Sequence, residues 1–141
     1  MNRPVGTARP APVASESSRT ARRIWEKAYE EHPFLAGDFA WTTVTHVLEA
    51  HPGERVYEVG FGSGMNLRWA FENGWEVAGC EVARIPFEKG RELLPAADLR
   101  LESIVDCTAP SEYFDVVLDR AAMSYLSPKD IKKGEATCAA S

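Results

Sequence analysis

The sequence predicts an α/β fold: an open, doubly wound parallel sheet preceded by N-terminal helices. Three observations carry this expectation. From Arg55 onward, β-rich runs alternate with helical periods; the glycine cluster Gly60-Phe61-Gly62-Ser63-Gly64 stands where the first run meets the first helix; and the second run ends on an acid, Glu81. Strands that alternate with helices imply parallel pairing through right-handed crossovers.

The elements follow in order. Residues 1–18 mix proline with Ala, Ser and Thr and hold few large apolar side chains, so they read as a disordered tail that cannot repay the entropy of ordering. Between Arg19 and His32, Ile24, Trp25, Ala28 and Tyr29 recur at helical spacing and stop before Pro33. A second helix is expected behind Asp38 as its cap, with Phe39, Trp41, Val44, Val47 and Leu48 on its apolar side. These N-terminal helices occupy 19–52, and the turn Pro52-Gly53 opens the α/β domain, read as 53–133. Within it the periods predict a strand over Arg55–Val59, a helix over Met65–Asn73 ended by Gly74, and a strand over Trp75–Val82. A helix over Pro86–Leu94 and strands over Leu99–Val105 and Tyr113–Asp119 complete the series. Residues 134–141 are small and polar and read as an irregular tail.

Composition narrows the function. With 141 residues, 45% hydrophobic and 26% charged, the chain suits one domain with a buried core. A net charge of −5 offers no general attraction to nucleic acid or to anionic lipid. Three cysteines, Cys80, Cys107 and Cys138, without a C-x-x-C pair, point to a reduced, cytoplasmic setting. No apolar run approaches the roughly 20 residues of a membrane span.

The glycine cluster has a mechanism in this position. Residues without Cβ let a ligand approach the backbone, and the helix start behind them offers N–H groups. The dinucleotide pattern G-x-G-x-x-G would need glycine at 65 or 67, where Met65 and Leu67 stand, so a pyrophosphate-binding turn is disfavoured. Glu81 lies about 20 residues beyond the loop, where nucleotide-binding sheets place the carboxylate that accepts ribose hydroxyls.

Together Glu58-Val59-Gly60-Phe61-Gly62-Ser63-Gly64, Glu81 after the second strand, and Phe114-Asp115-Val116-Val117-Leu118-Asp119-Arg120-Ala121-Ala122 resemble the class I S-adenosylmethionine-dependent methyltransferase family, a Rossmann-like fold. The resemblance runs from Glu54 to about Asp130. It implies S-adenosylmethionine as cofactor, with Gly60 to Gly64 around its methionine portion, Glu81 at the ribose, Asp106 and Cys107 at the adenine, and Glu58 and Val82 among the residues that bind it. Asp119 closes the crevice from the fourth strand. Asp106 is equally readable as a turn-former before Pro110. Trp25-Glu26-Lys27-Ala28-Tyr29, Pro33-Phe34 and Asp119-Arg120-Ala121-Ala122 are similar to the thiopurine, thiol and halide branch. That branch implies a small acceptor and a lid built from Trp25, Tyr29, Phe34 and Trp41, although packing of an amphipathic helix accounts for most of these aromatics.

Methyl transfer needs alignment and water exclusion more than acid–base machinery, so no catalytic base or metal is assigned. Asp119, Arg120 and Tyr125 are the polar residues near the crevice, and an ion pair between the first two is the leading reading of them. The family continues beyond strand four, whereas only Ser127 to Ser141 remain here, so the fold is expected to be incomplete. An uncovered fourth strand would favour a homo-oligomer that completes the sheet. A non-catalytic cofactor-binding or interaction module is the alternative function.

Overall fold

The computed structural model describes residues 14–51, 53–110, 112–119 and 128–139. Helix α1 runs over Glu16–Glu31 and α2 over Thr42–Ala50, with a 3₁₀ turn at Pro33–Ala36 between them. The α/β part follows as β1 (Arg55–Val59), α3 (Met65–Glu72), β2 (Glu76–Glu81), α4 (Arg84–Leu93) and β3 (Asp98–Leu101). A 3₁₀ turn at Ile104–Asp106, β4 (Val116–Asp119) and α5 (Pro128–Ala139) complete it.

The four strands pair in the order β3-β2-β1-β4 and every pairing is parallel. The registers Val59↔Cys80, Val59↔Asp119 and Glu81↔Leu101 bring the carboxyl ends of all four strands to one edge. A sheet of this kind is covered on both faces, which explains why Val56, Tyr57, Glu58 and Val59 are all buried. On one face, Val44 and Leu48 of α2, Leu67 of α3 and Leu94 at the end of α4 form a core with Val56, Val77 and Leu99. On the other, Tyr57, Val59, Ala78 and Cys80 pack with Ile104 and Val105.

Several boundaries differ from the sequence reading, each for a local reason. Residues 16–18 are not part of a disordered tail: Ser15 caps α1 by accepting the Ser18 N–H at 3.2 Å, so the helix begins at Glu16. Asp38 does not cap α2. Trp41 holds the cap position, its N–H spoken for by Asn66 Oδ1 at 2.9 Å, and Phe39 and Trp41 stay exposed. Strand β4 starts only at Val116, because Asp115 turns its carboxylate onto the Glu54 and Arg55 N–H groups at 2.8 and 2.9 Å. Strand β3 ends at Leu101, and Ser103 caps the following 3₁₀ turn. Residues 134–139 continue α5 rather than forming an irregular tail; proline stands at the start of that helix and Asp130 in its first turn, where both are favourable.

Candidate functional site

The turn from β1 to α3 uses positive φ at Gly60, Gly62 and Gly64, of +64°, +59° and +88°. Only glycine takes these values without strain. The turn is pinned to β2: the Gly60 and Phe61 N–H groups both donate to the Cys80 carbonyl, at 2.8 and 3.2 Å. Gly64, left-handed, is the N-cap of α3.

Glu81, the last residue of β2, ties this turn to the next helix. One carboxylate oxygen accepts the Gly62 N–H at 3.0 Å and the other the Ala83 N–H at 2.8 Å. Burial pushes its carboxyl above the usual range, and the backbone N–H groups of Ala83, Gly62 and Val82 only partly oppose this. The acid and the glycine turn are thus brought together as the sequence suggested, but part of the loop's donor capacity is used internally. With three backbone N–H groups on its two oxygens, the carboxylate keeps one of its roughly four lone-pair sites for an incoming hydroxyl.

Glu58 is buried in β1 and accepts from Asn66 Nδ2 at 2.8 Å. Asn66 in turn holds the Trp41 N–H, so the motif acid is linked through α3 to the N-terminal segment. Sequence reasoning missed Asn66; its only signal was a polar side chain on the inward face of α3. Ser63 is buried and its hydroxyl donates to the Gly37 carbonyl at 3.5 Å.

Two expected site residues face elsewhere. Phe61 is 5% exposed and belongs to the core, where its ring sits against Gly79 and Gly90 and lies 6.3 Å from the Phe87 ring. An apolar ring inside the glycine run is better placed under the turn than beside a polar ligand. Cys107 turns to the opposite core face: its Sγ meets the Tyr57 hydroxyl and the Ala109 N–H, both at 3.4 Å, and burial raises the thiol.

Asp106 lies at the crevice but is engaged. Its Oδ2 accepts the Ser15 N–H at 3.0 Å, the Ser15 hydroxyl at 2.8 Å and the Ser18 hydroxyl, while Lys133 of α5 stands 3.6 Å from Oδ1. With Val82, Leu101, Glu102, Ser103, Ala14, Ser18 and Arg22 it encloses a cavity of about 120 Å³. A larger opening of about 360 Å³ lies between Ser63, Met65, Lys89 and Leu93 and the segment Pro33, Gly37 and Asp38. Asp119 ends β4 beside Val59, at the same edge of the sheet. Arg120, Tyr125 and the residues between them lie outside the described residues.

Helix α1 crosses this edge as a roof. Ser15 and Ser18 sit over Asp106 behind β3, Glu26 Oε1 accepts the Arg84 N–H behind β2 at 3.4 Å, and the Tyr29 hydroxyl stands 3.5 Å from the point a Gly62 Cβ would occupy behind β1. Tyr29 in turn packs on Trp25, ring centroids 6.2 Å apart. Trp41 instead abuts α3 through its backbone.

The Asp106 clasp makes a pH prediction. Desolvation pushes the Asp106 carboxyl up, but the hydrogen bonds from Ser18 and Ser15 and the Lys133 ammonium outweigh it and hold the carboxyl below the usual range. A carboxyl depressed in the folded state adds stability that is present above its unfolded value, about 3.9, and is lost as pH falls through the lower folded value. The amide NMR signals of Ser15 and Ser18 should therefore shift toward unstructured positions only below about pH 4, and Asp106→Ala should show those positions already at neutral pH. Native shifts in the variant would mean that the carboxylate does not hold the helix start.

A glycine turn and a buried acid at the adjoining ends of β1 and β2, in a sheet ordered 3-2-1-4, define a doubly wound domain with its ligand crevice beyond the strand ends. The family model described as a methyltransferase domain matches residues 57–138, more than half of the chain, and the chain belongs to that family. Among solved structures it is similar to the Burkholderia thailandensis 1,6-didemethyltoxoflavin-N1-methyltransferase, bound to 1,6-didemethyltoxoflavin and S-adenosylhomocysteine. That match has 19% identity and a TM-score of 0.74 and covers 94% of this chain and 62% of the other. A TehB-like S-adenosylmethionine-dependent methyltransferase from Corynebacterium glutamicum matches at 16% identity and a TM-score of 0.65, over 87% of this chain and 65% of that one. The magnesium protoporphyrin IX methyltransferase of Synechocystis PCC 6803, with bound S-adenosylmethionine, matches at 14% identity and a TM-score of 0.67, over 91% and 73%. The chain thus spans less than two thirds of the first two. No helix among the described residues is long and apolar enough to cross a membrane.

Proposed function

We propose that the crevice beyond β1, β2 and β3 binds S-adenosylmethionine and that the chain carries the cofactor-binding part of a methyltransferase for a small acceptor. The observation that carries this reading is Glu81, fixed at the end of β2 against Gly62 with an open cavity between Val82 and Asp106 beside it. The residues fit the group. A buried carboxylate with a spare lone pair suits a ribose hydroxyl, and the glycine-rich turn at Gly60 to Gly64 suits a methionine chain that carries no pyrophosphate. Leu67, where the dinucleotide pattern wants glycine, is fully buried and fills the core.

When bound, the cofactor supplies an electrophilic methyl group for in-line displacement. The chain's part is to bind and orient: Glu81 holds the ribose side, Val82 and Asp106 the base, and Glu58 steadies the turn through Asn66. Asp119 ends β4 at the edge where an acceptor would approach, and no residue is needed as base for a thiolate or halide acceptor of the kind the thiopurine, thiol and halide branch suggests. Phe61 and Cys107 support the site from the core. A cytoplasmic location fits the free thiols Cys80 and Cys107, and a net charge of −5 argues against a nucleic-acid acceptor. Strand β4 pairs only with β1 among the described residues, which supports self-association through its other edge.

A thermal shift with S-adenosylhomocysteine and NADH at matched concentration tests the reading, since a ligand of the native state raises the melting temperature by mass action. The expected result is a rise with S-adenosylhomocysteine alone. A rise only with NADH would replace the reading by a dinucleotide-binding one, and binding without turnover on thiol, hydroxyl and amine acceptors would favour a non-catalytic module.

A further inference from the structure

Arg22, in the middle of α1, lines the small cavity beside Val82. Its Nε–H is buried and has no hydrogen-bond partner among the described residues. A buried donor without an acceptor is costly, and native structures seldom keep one without a use. The other polar side chains of this cavity each have a partner. The Ser103 hydroxyl accepts the Val105 N–H at 3.3 Å, Glu102 receives the Thr108 N–H and hydroxyl at 2.9 and 2.7 Å, and Asp106 holds the two serines. Among these side chains, Arg22 Nε is the buried polar atom with no partner at all.

The cavity also limits what can use that donor. At about 120 Å³ it has room for one heterocycle rather than a whole nucleotide. Two carboxylates, Glu102 and Asp106, stand in its wall and would repel an anion. Val82 and Leu101 supply apolar surface for a flat ring. A neutral aromatic heterocycle with a ring-nitrogen acceptor satisfies all three conditions, while an alkyl group would leave the Nε–H unsatisfied.

We propose that Arg22 is a base-reading residue: its Nε–H donates to a ring nitrogen of the adenine seated between α1 and the ends of β2 and β3. This rests on the cofactor reading given above. It makes α1 a participant in ligand selection rather than a cover alone, because the donor that reads the ring and the serines that hold Asp106 lie on the same two turns of helix.

The test is calorimetry with S-adenosylhomocysteine and its 1-deaza, 3-deaza and 7-deaza analogues, each of which replaces one ring nitrogen by C–H. Wild type is compared with Arg22→Met, which keeps the aliphatic stem and removes the donor. The variant is expected to bind S-adenosylhomocysteine about tenfold more weakly, the scale of one charge-assisted hydrogen bond. One deaza analogue should lose about the same factor with wild type and nothing further with Arg22→Met, the non-additivity that marks a direct contact. Without ligand, Arg22→Met should melt no lower than wild type, since it removes an unsatisfied donor; a purely structural role would lower the melting temperature. Equal affinity of variant and wild type, or equal losses for all deaza analogues in both proteins, would overturn the assignment of Arg22 while leaving the cofactor reading intact. Wild type that fails to bind S-adenosylhomocysteine at all would overturn both.

Discussion

Gly79→Ala should destabilise the protein more than the same change at a glycine with positive φ. A Cβ at Gly79 would stand 2.6 Å from the Glu58 carbonyl oxygen and 3.0 Å from the Phe61 ring. The first neighbour is backbone of the paired strand β1, which cannot move without breaking the ladder that positions the glycine turn. The expected cost is about 3 kcal/mol, the upper part of the range for overpacked cores, or roughly 10 °C in melting temperature for a domain of this size. Gly74 is the comparison: its φ is +90°, but an added Cβ meets nothing within 4 Å, so Gly74→Ala should cost only about 1–2 kcal/mol of left-handed strain. Urea unfolding of the two variants decides it. A loss at Gly79 no greater than at Gly74 would mean that β1 and β2 can separate far more easily than their packing suggests.

Glu81→Ala should both weaken the fold and abolish the stabilisation that S-adenosylhomocysteine gives. Its removal leaves the Gly62 and Ala83 N–H groups without their acceptor, at about 1–3 kcal/mol each, and relieves the cost of a buried charge. A net loss of about 2 kcal/mol follows. Glu81→Gln should be milder for the fold, since one acceptor oxygen remains and no charge is buried, yet equally harmful to binding. The pH dependence separates these effects. Because the folded carboxyl is raised, the stability linked to Glu81 is fully present below its unfolded value and declines as pH rises through the folded one. Glu81→Gln should remove that decline. A pH–stability curve identical to wild type would show that Glu81 is not buried as described, and retained ligand stabilisation in both variants would remove it from the site.

The sheet was legible because its signals are local and repeated. The change of period after Pro52-Gly53, the positive-φ glycines and the acid at the end of β2 each follow from a few neighbouring residues, and together they fix the strand order around the crevice. What was missed depends on partners distant in sequence. Ser15 and Ser18 look like a polar tail until Asp106 is placed beside them, and the same contact gives the residue expected at the adenine a second task as a helix anchor. Phe61 reads as part of a binding motif because it stands between glycines, whereas the space that draws it inward is created by Gly79 and Gly90 on two other elements. Asn66 shows the same limit, since its meaning lies in Glu58 and Trp41, eight and 25 residues away.

The seating of α1 also carries a consequence for how the chain is made. Ser15 leaves the ribosome long before Asp106, which is 91 residues downstream, and before Lys133, which completes the same cluster. Until β3 and the turn behind it have been translated, α1 has no carboxylate to close on, and its exposed Ile24 and half-buried Trp25 and Tyr29 must wait without the sheet edge they lie across. Local helix formation is fast, but docking depends on partners still inside the tunnel. The helix synthesised ahead of the sheet is therefore among the last parts to be fastened to it.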